Sequence, residues 1–177
     1  MLVAAMPYML VLRFFHIVAG TLWVGSAFLF VGFIGPSAGE VGPSAGPLLH
    51  AVVKKRKVAK VITGLAGVTV VAGWLMWLRD MDQYGSLGDW VGSTFGLVLT
   101  IGAALATIAF FLGYHGVGRN VERLVDLGDQ IAASGGPPTP EQQARMGHLM
   151  AALEKHGKLD LLLLLLAVTA MSTARYW

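Results

Sequence analysis

Four long apolar stretches, separated by shorter polar segments, dominate the pattern of this sequence. Residues 14–38, 61–78 and 90–115 contain no Asp, Glu, Lys or Arg, and a run of six leucines marks the fourth stretch. The hydrocarbon core of a bilayer, about 30 Å thick, is crossed by roughly 20 apolar residues in a helix. We therefore predict an all-α integral membrane four-helix bundle, with spans at about residues 7–34, 58–78, 91–115 and 159–177.

The fourth span has the shortest apolar run. Fourteen residues separate Asp160 from Arg175, so the helix reaches membrane length when both charged residues lie at its edges. Tyr176 and Trp177 then anchor its end at the interface, where aromatic rings are enriched. The sequence thus predicts that Asp160 lies at a membrane edge.

Glycine and proline mark the predicted ends of the helices. Gly35-Pro36 is expected to end the first span, and residues 35–47 (GPSAGEVGPSAGP) are expected to form an irregular loop. The third helix should continue to about Ala133, because apolar residues recur beyond the span at helical spacing. Thr139 as N-cap and Pro140 at the first helical position predict the start of the next helix.

These extensions of helices three and four predict an antiparallel hairpin over residues 116–158. If its turn is centred near Gly136-Pro137, facing residues have numbers that sum to roughly 273. This register places His115 opposite His156.

Basic residues are distributed unequally between the connections. Ten of the 13 Lys and Arg residues lie in the loops after spans one and three, whereas the connection after span two carries three aspartates. Because positively charged loops stay in the cytoplasm, we predict a bacterial inner-membrane protein with both termini on the outer side and the hairpin in the cytoplasm. Six aromatic residues near the outer side are interpreted as an interfacial belt: Trp74, Trp77, Tyr84, Trp90, Tyr176 and Trp177.

Composition narrows the class of protein further. Hydrophobic residues make up 55% of the chain and charged residues 13%, which is about half the charge of a soluble domain. These values exclude a soluble enzyme, a disordered chain and a nucleic-acid binder, and they make the lipid bilayer the main partner. The absence of cysteine excludes disulfides, thiolate metal sites and thiol catalysis.

His16 is the histidine that the span boundaries place well inside the apolar slab. An ionisable side chain within a span is by default a candidate functional site. Gly20 and Trp23 follow on the same helix face, so that a flat ring or a neighbouring helix can approach the imidazole. Pairing of spans one and two across their connection sets His16 level with Met76. Haem ligation and a hydrogen bond to a backbone carbonyl or a hydroxyl are both open for His16.

Arg13 and three further histidines are the remaining candidate binding residues. Arg13, one turn before His16, either extends to the lipid headgroups or pairs with a haem propionate or a quinone headgroup. His50, His115 and His156 are expected at one cytoplasmic depth. Three imidazoles at one depth can hold a transition metal or ligate a haem. Together with His16 they are the candidate metal ligands. The alternative is that these three are ordinary interfacial histidines.

The first two spans carry a resemblance to known families. FFHIVAGTLWVGSAFLFVGFIGPSA (14–38) and GPLLHAVVKKRKVAKVITGLAGVTVVAGWLMWLRD (46–80) resemble a group of small bacterial four-helix membrane proteins with an HxxxGxxWVG first helix. The pattern is distantly similar to CopD-type copper-resistance domains, to the membrane domain of urate hydroxylases and to HemJ-type haem proteins. The resemblance implies a four-helix bundle in which His16 and Trp23 are the motif histidine and tryptophan, and it implies haem b as the cofactor.

These features are compatible with three functions. The leading expectation is a haem-b-binding membrane protein that acts through His16 in electron transfer or a redox step, with quinone as a candidate partner. The second is a cofactor-free accessory subunit of a larger respiratory or photosynthetic membrane complex. The third is the handling of copper or another metal. Assembly as a homo-oligomer is compatible with each of them.

The predicted topology can be checked with reporter fusions. Fusions at Ser44 and Gly135 are expected to report the cytoplasm, because both positions lie in the basic connections, and a fusion at Gln83 the opposite side. A periplasmic signal at Gly135 would overturn the orientation.

Overall fold

The computed structural model describes residues 2–176, with side chains from residue 7 onward. Within that range nearly every residue is helical and no strand occurs, which confirms the all-α prediction. The α-helices are α1 (Leu2–Leu29), α2 (Gly35–Val41), α3 (Gly46–His50), α4 (Val58–Tyr84), α5 (Leu87–Gly92), α6 (Thr94–Leu112), α7 (Arg119–Ser134) and α8 (Pro140–Thr173). Four helical stretches are long and apolar enough to cross a membrane: Pro7–Lys55, Val58–Tyr84, Thr94–Ser134 and Pro140–Tyr176.

The first helical stretch does not end at Gly35-Pro36, so this predicted boundary is wrong. A π-helical turn, Phe30–Ile34, follows α1, and α2 continues through Pro36. Proline has no backbone N–H and its ring crowds the carbonyl one turn earlier. The wider π turn accommodates it, because the Gly35 N–H bonds the Phe30 carbonyl five residues back. The helical path breaks at Gly42, whose φ of 62° glycine adopts without strain.

Residues 42–55 form short helical turns where the sequence predicted an irregular loop. A 3₁₀ turn (Gly42–Ala45), α3 and a second π-helical turn (Ala51–Lys55) follow one another. Proline lies in the first turn of both the 3₁₀ segment and α3, where its fixed φ favours helix and its missing N–H costs nothing. The same Gly-Pro pairs that suggested loop therefore start new helical turns.

The third long helix begins later than predicted. α5 ends at Gly92, Ser93 is extended, and α6 starts at Thr94. The Ser93 hydroxyl accepts the Gly96 N–H at 3.0 Å and thereby caps α6. A π-helical turn, Gly113–Gly118, then joins α6 to α7.

The fourth long helix is continuous from Pro140 to Thr173. Its start is fixed by a capping box, in which the Gln142 side chain accepts the Thr139 N–H at 2.9 Å and the Thr139 hydroxyl accepts the Gln142 N–H at 3.3 Å. The six leucines lie in the interior of α8. Asp160 is therefore a mid-helix residue, and it is buried.

The described residues divide into two compact units. The first contains residues 2–24, 64–110 and 162–176, and the second contains residues 25–63 and 111–161. In the second unit, a hydrogen bond between His50 and Asp129 at 2.9 Å and an ion pair between Lys54 and Asp126 at 2.6 Å hold the segment before α4 to α7.

Three tryptophans of the predicted aromatic belt pack between helices in the first unit. Trp74 and Trp77 of α4 donate hydrogen bonds to hydroxyls of α6, Thr107 at 3.0 Å and Thr100 at 2.8 Å. A buried indole N–H usually finds such an acceptor, but that of Trp90 has none among the described residues. Trp90 is fully buried. Tyr84 packs on Trp90, Tyr176 is exposed, and Trp177 lies outside the described residues.

Gly96 is the position where this aromatic packing depends most on the absence of a side chain. A Cβ there would overlap the Trp90 carbonyl oxygen and lie 2.7 Å from the indole Cδ2. Gly64, a glycine of α4 with nothing within 4 Å of its Cβ position, is the matched control.

We expect Gly96→Ala to lower the thermal unfolding midpoint in detergent micelles, because relieving the overlap requires a backbone shift that costs about 1–3 kcal/mol. Gly64→Ala should leave the midpoint unchanged or raise it, since alanine favours helix by about 1 kcal/mol. Equal midpoints for the two variants would contradict the packing of Trp90 on Gly96.

Candidate functional site

His16 lies in the contact between α1 and α4. Its Nδ1 is 2.8 Å from the Thr69 carbonyl oxygen, and because a carbonyl only accepts, Nδ1–H donates. The imidazole lies against Gly73, where a Cβ would stand 2.9 Å from Cε1 and 3.1 Å from Nδ1. Glycine at position 73 therefore allows the ring to reach the backbone of α4.

This hydrogen bond fixes the tautomer of the neutral His16 ring. With the proton on Nδ1, Nε2 holds the lone pair. No second hydrogen bond to this ring exists among the described residues. An imidazole that donates one N–H to a carbonyl and presents the other nitrogen is the arrangement of most metal-ligating histidines, and it is equally that of a histidine that only joins two helices.

The structure corrects the predicted register of spans one and two. His16 meets Thr69 and Gly73, where the sequence reasoning had set it level with Met76. The helical connection of residues 35–55 explains the error, because the register was counted from a first span ending at Ile34. Met76 lies three residues beyond Gly73 and so shares its face of α4.

Gly20 and Trp23 are used for packing. A Cβ at Gly20 would lie 3.2 Å from Cγ2 of Thr69, and Trp23 is 4% exposed. The stripe was expected to admit a flat ring or a neighbouring helix, and at Gly20 it contacts α4. The His16 imidazole keeps the geometry of a ligand, with Nδ1 on the Thr69 carbonyl.

Arg13 is exposed, and its positive charge, like that of Arg79, lies near Asp80 of α4, although no ion pair joins Arg13 to Asp80 among the described residues. The described residues thus give Arg13 an acidic neighbour near the end of α4, in addition to the two roles predicted from the sequence.

His50, His115 and His156 are each held by different partners. His50 pairs with Asp129, His156 Nδ1 lies 3.3 Å from the Gly116 carbonyl oxygen, and the exposed His115 ring packs on Tyr114. No group of three His, Cys, Asp or Glu residues that could hold a metal ion occurs between residues 7 and 176. The metal-handling hypothesis therefore gains no support.

Asp160 is a candidate functional residue that the sequence pattern placed only at a membrane edge, without a role. It is 5% exposed, and Oδ1 has no hydrogen-bond partner among the described residues. Gly113 faces it, with the position of an added Cβ 3.3 Å from Oδ1. The signal was present in the sequence, because the predicted hairpin register sets residue 160 opposite residue 113.

Comparison with protein-family models, with curated proteins and with solved structures finds no match for this chain.

The tautomer of His16 can be read directly from ¹⁵N shifts of labelled histidine. We expect one imidazole to show a protonated Nδ1 and an unprotonated Nε2 at neutral pH, and this signal to be absent in His16→Gln. Gly73→Ala should shift the signal because the new methyl group displaces the ring, whereas Gly64→Ala should not. A protonated Nε2 on His16 would contradict the hydrogen bond to Thr69.

Proposed function

We propose that this protein is a membrane redox protein that binds haem b through Nε2 of His16. The observation that carries the proposal is the bond from His16 Nδ1–H to the Thr69 carbonyl at 2.8 Å. Such a bond orients an imidazole and raises its basicity as a ligand. Bound haem supplies one-electron chemistry.

The residues around His16 have different proposed roles: some position the imidazole, and others would contact the haem. Gly73 lets the imidazole lie on α4, and Gly20 lets Thr69 approach α1, so that both glycines position the ligand. Met76, on the same face of α4 as Gly73, is the first candidate for the opposite axial position. Arg13 is the cation that would face a haem propionate or a quinone headgroup.

The proposed function also requires a location and an orientation of the chain in the membrane. We propose a four-helix bundle in a bacterial inner membrane, with both termini on the outer side and residues 116–158 as a cytoplasmic hairpin. Four helical stretches of membrane-spanning length and apolarity support the bundle. The excess of basic residues in two connections supports the orientation.

A cofactor-free accessory subunit of a larger membrane complex is the second candidate. The contact of Gly20 with Thr69 favours it, because this face of α1 is already covered by α4. In that case His16 serves as an interhelical hydrogen bond, which is worth about 0.6–2 kcal/mol in membrane proteins.

An absorption spectrum of the purified full-length protein separates the two candidates. We expect a reducible Soret and α-band in the wild type and the loss of nearly all bound haem in His16→Ala, since the axial nitrogen is removed. His148→Ala, at an exposed position of α8, is the matched control and should retain haem.

Haem retained undiminished in His16→Ala would contradict the axial assignment. A colourless wild type, prepared with haem supplied during expression, would contradict haem binding altogether. In that second case a lower unfolding midpoint of His16→Ala would favour the cofactor-free subunit.

A further inference from the structure

Asp160 is an acidic side chain buried in the second compact unit without a compensating charge. It is 5% exposed, and no ion pair in the described part of the chain includes it. Oδ1 lacks a hydrogen-bond partner there. Residues 161–166 are all leucine, so the helix that carries Asp160 is strongly apolar on its C-terminal side.

Asp160 faces a π-helical turn, Gly113–Gly118, in which three of the six residues are glycine. Gly113 opens the turn and lies against the carboxyl, with its Cβ position 3.3 Å from Oδ1 and 3.7 Å from Oδ2. Gly116 lies against His156, one turn before Asp160 on α8, and a Cβ added to Gly116 would stand 2.9 Å from Cγ of His156. π turns are rare and are frequent at functional sites. Here the turn brings two titratable side chains of α8 onto the helix backbone.

The charged and the neutral form of the Asp160 carboxyl differ in the charge compensation and the hydrogen bonds that they require. A carboxylate buried without a cation or a donor is costly. A carboxylic acid removes the charge and supplies an O–H donor, for which a backbone carbonyl is a suitable acceptor. A buried carboxyl of this kind on a helix long and apolar enough to cross a membrane is a functional candidate in its own right.

We propose that Asp160 is a proton-binding site, at which one carboxylate oxygen forms an O–H bond with a proton taken from the aqueous phase and later releases it. The proposal concerns the second compact unit and does not depend on haem at His16. Its ligand is the proton, as distinct from a sodium ion, which would need several further oxygen ligands.

The titratable groups around the site are few. On α8, His156 lies one turn away with Nδ1 on the Gly116 carbonyl, and Lys158 is exposed and paired with Glu154 at 2.6 Å. Near Val31, which contacts Gly157, residues 25–39 contain no titratable side chain. The titratable residues of the facing turn and of the first turn of α7 are Tyr114, His115 and Arg119, which are exposed, and Glu122, which is half-buried.

Infrared difference spectroscopy of the full-length protein in lipid vesicles tests the proposal. A pH series should show the C=O stretching band of a protonated carboxylic acid, with a downshift in D₂O. The band should be lost in Asp160→Asn and kept in Asp82→Asn, an exposed aspartate that serves as the control. A wild type without the band at any pH, or a band that survives in Asp160→Asn, would overturn the proposal.

Two further measurements keep the test decisive if Asp160→Asn folds poorly. Asp160→Glu should retain a protonated-acid band at a shifted frequency, and Gly113→Ala should shift the wild-type band because its methyl group meets the carboxyl. Unchanged spectra in both variants would contradict the assignment. Replacement of choline by sodium should leave the titration unaltered, and a sodium-dependent loss of the band would assign the site to the metal ion instead.

Discussion

Close approach of helices at glycine is the constraint on which the structure depends. The chain has few charged residues, and an apolar medium offers no water to satisfy a buried polar group. Such a group must reach another helix, and a missing Cβ lets it do so. His16 lies on Gly73, and Asp160 lies on Gly113. Each of the two compact units thus contains a polar side chain packed on the backbone of a neighbouring helix.

The close approach at glycine has different consequences for the function of His16 and of Asp160. The contact that satisfies His16 leaves Nε2 as a lone-pair donor, which makes a ligand and a structural histidine look alike in geometry. Asp160 differs, because its carboxyl meets Gly113 without acquiring a donor or a cation in the described part of the chain. The half-buried His16 has a hydrogen bond to the Thr69 carbonyl, whereas the buried Asp160 has none among the described residues, so proton binding is the simpler account of Asp160.

Features that follow from composition and local signals were predictable. The four apolar stretches and the start of α8 at Pro140 agree with the sequence prediction, and His156 meets Gly116 within one residue of the predicted register. Features decided by tertiary packing were not. A π turn carries the helix through Pro36, and Trp90 is buried where an interfacial ring was expected. Neither outcome has a signature in residue spacing, because each depends on what the neighbouring backbone permits.

The register of α1 against α4 is tested most directly by disulfide trapping. The chain has no cysteine, so paired substitutions give a clean readout. We expect Gly20→Cys with Thr69→Cys to cross-link efficiently, since the Gly20 Cβ position lies 3.2 Å from Thr69 Cγ2. Gly20→Cys with Ala72→Cys, the pair favoured if His16 faced Met76, should cross-link poorly. The reverse result would remove His16 from Gly73 and contradict the account of both its burial and its role.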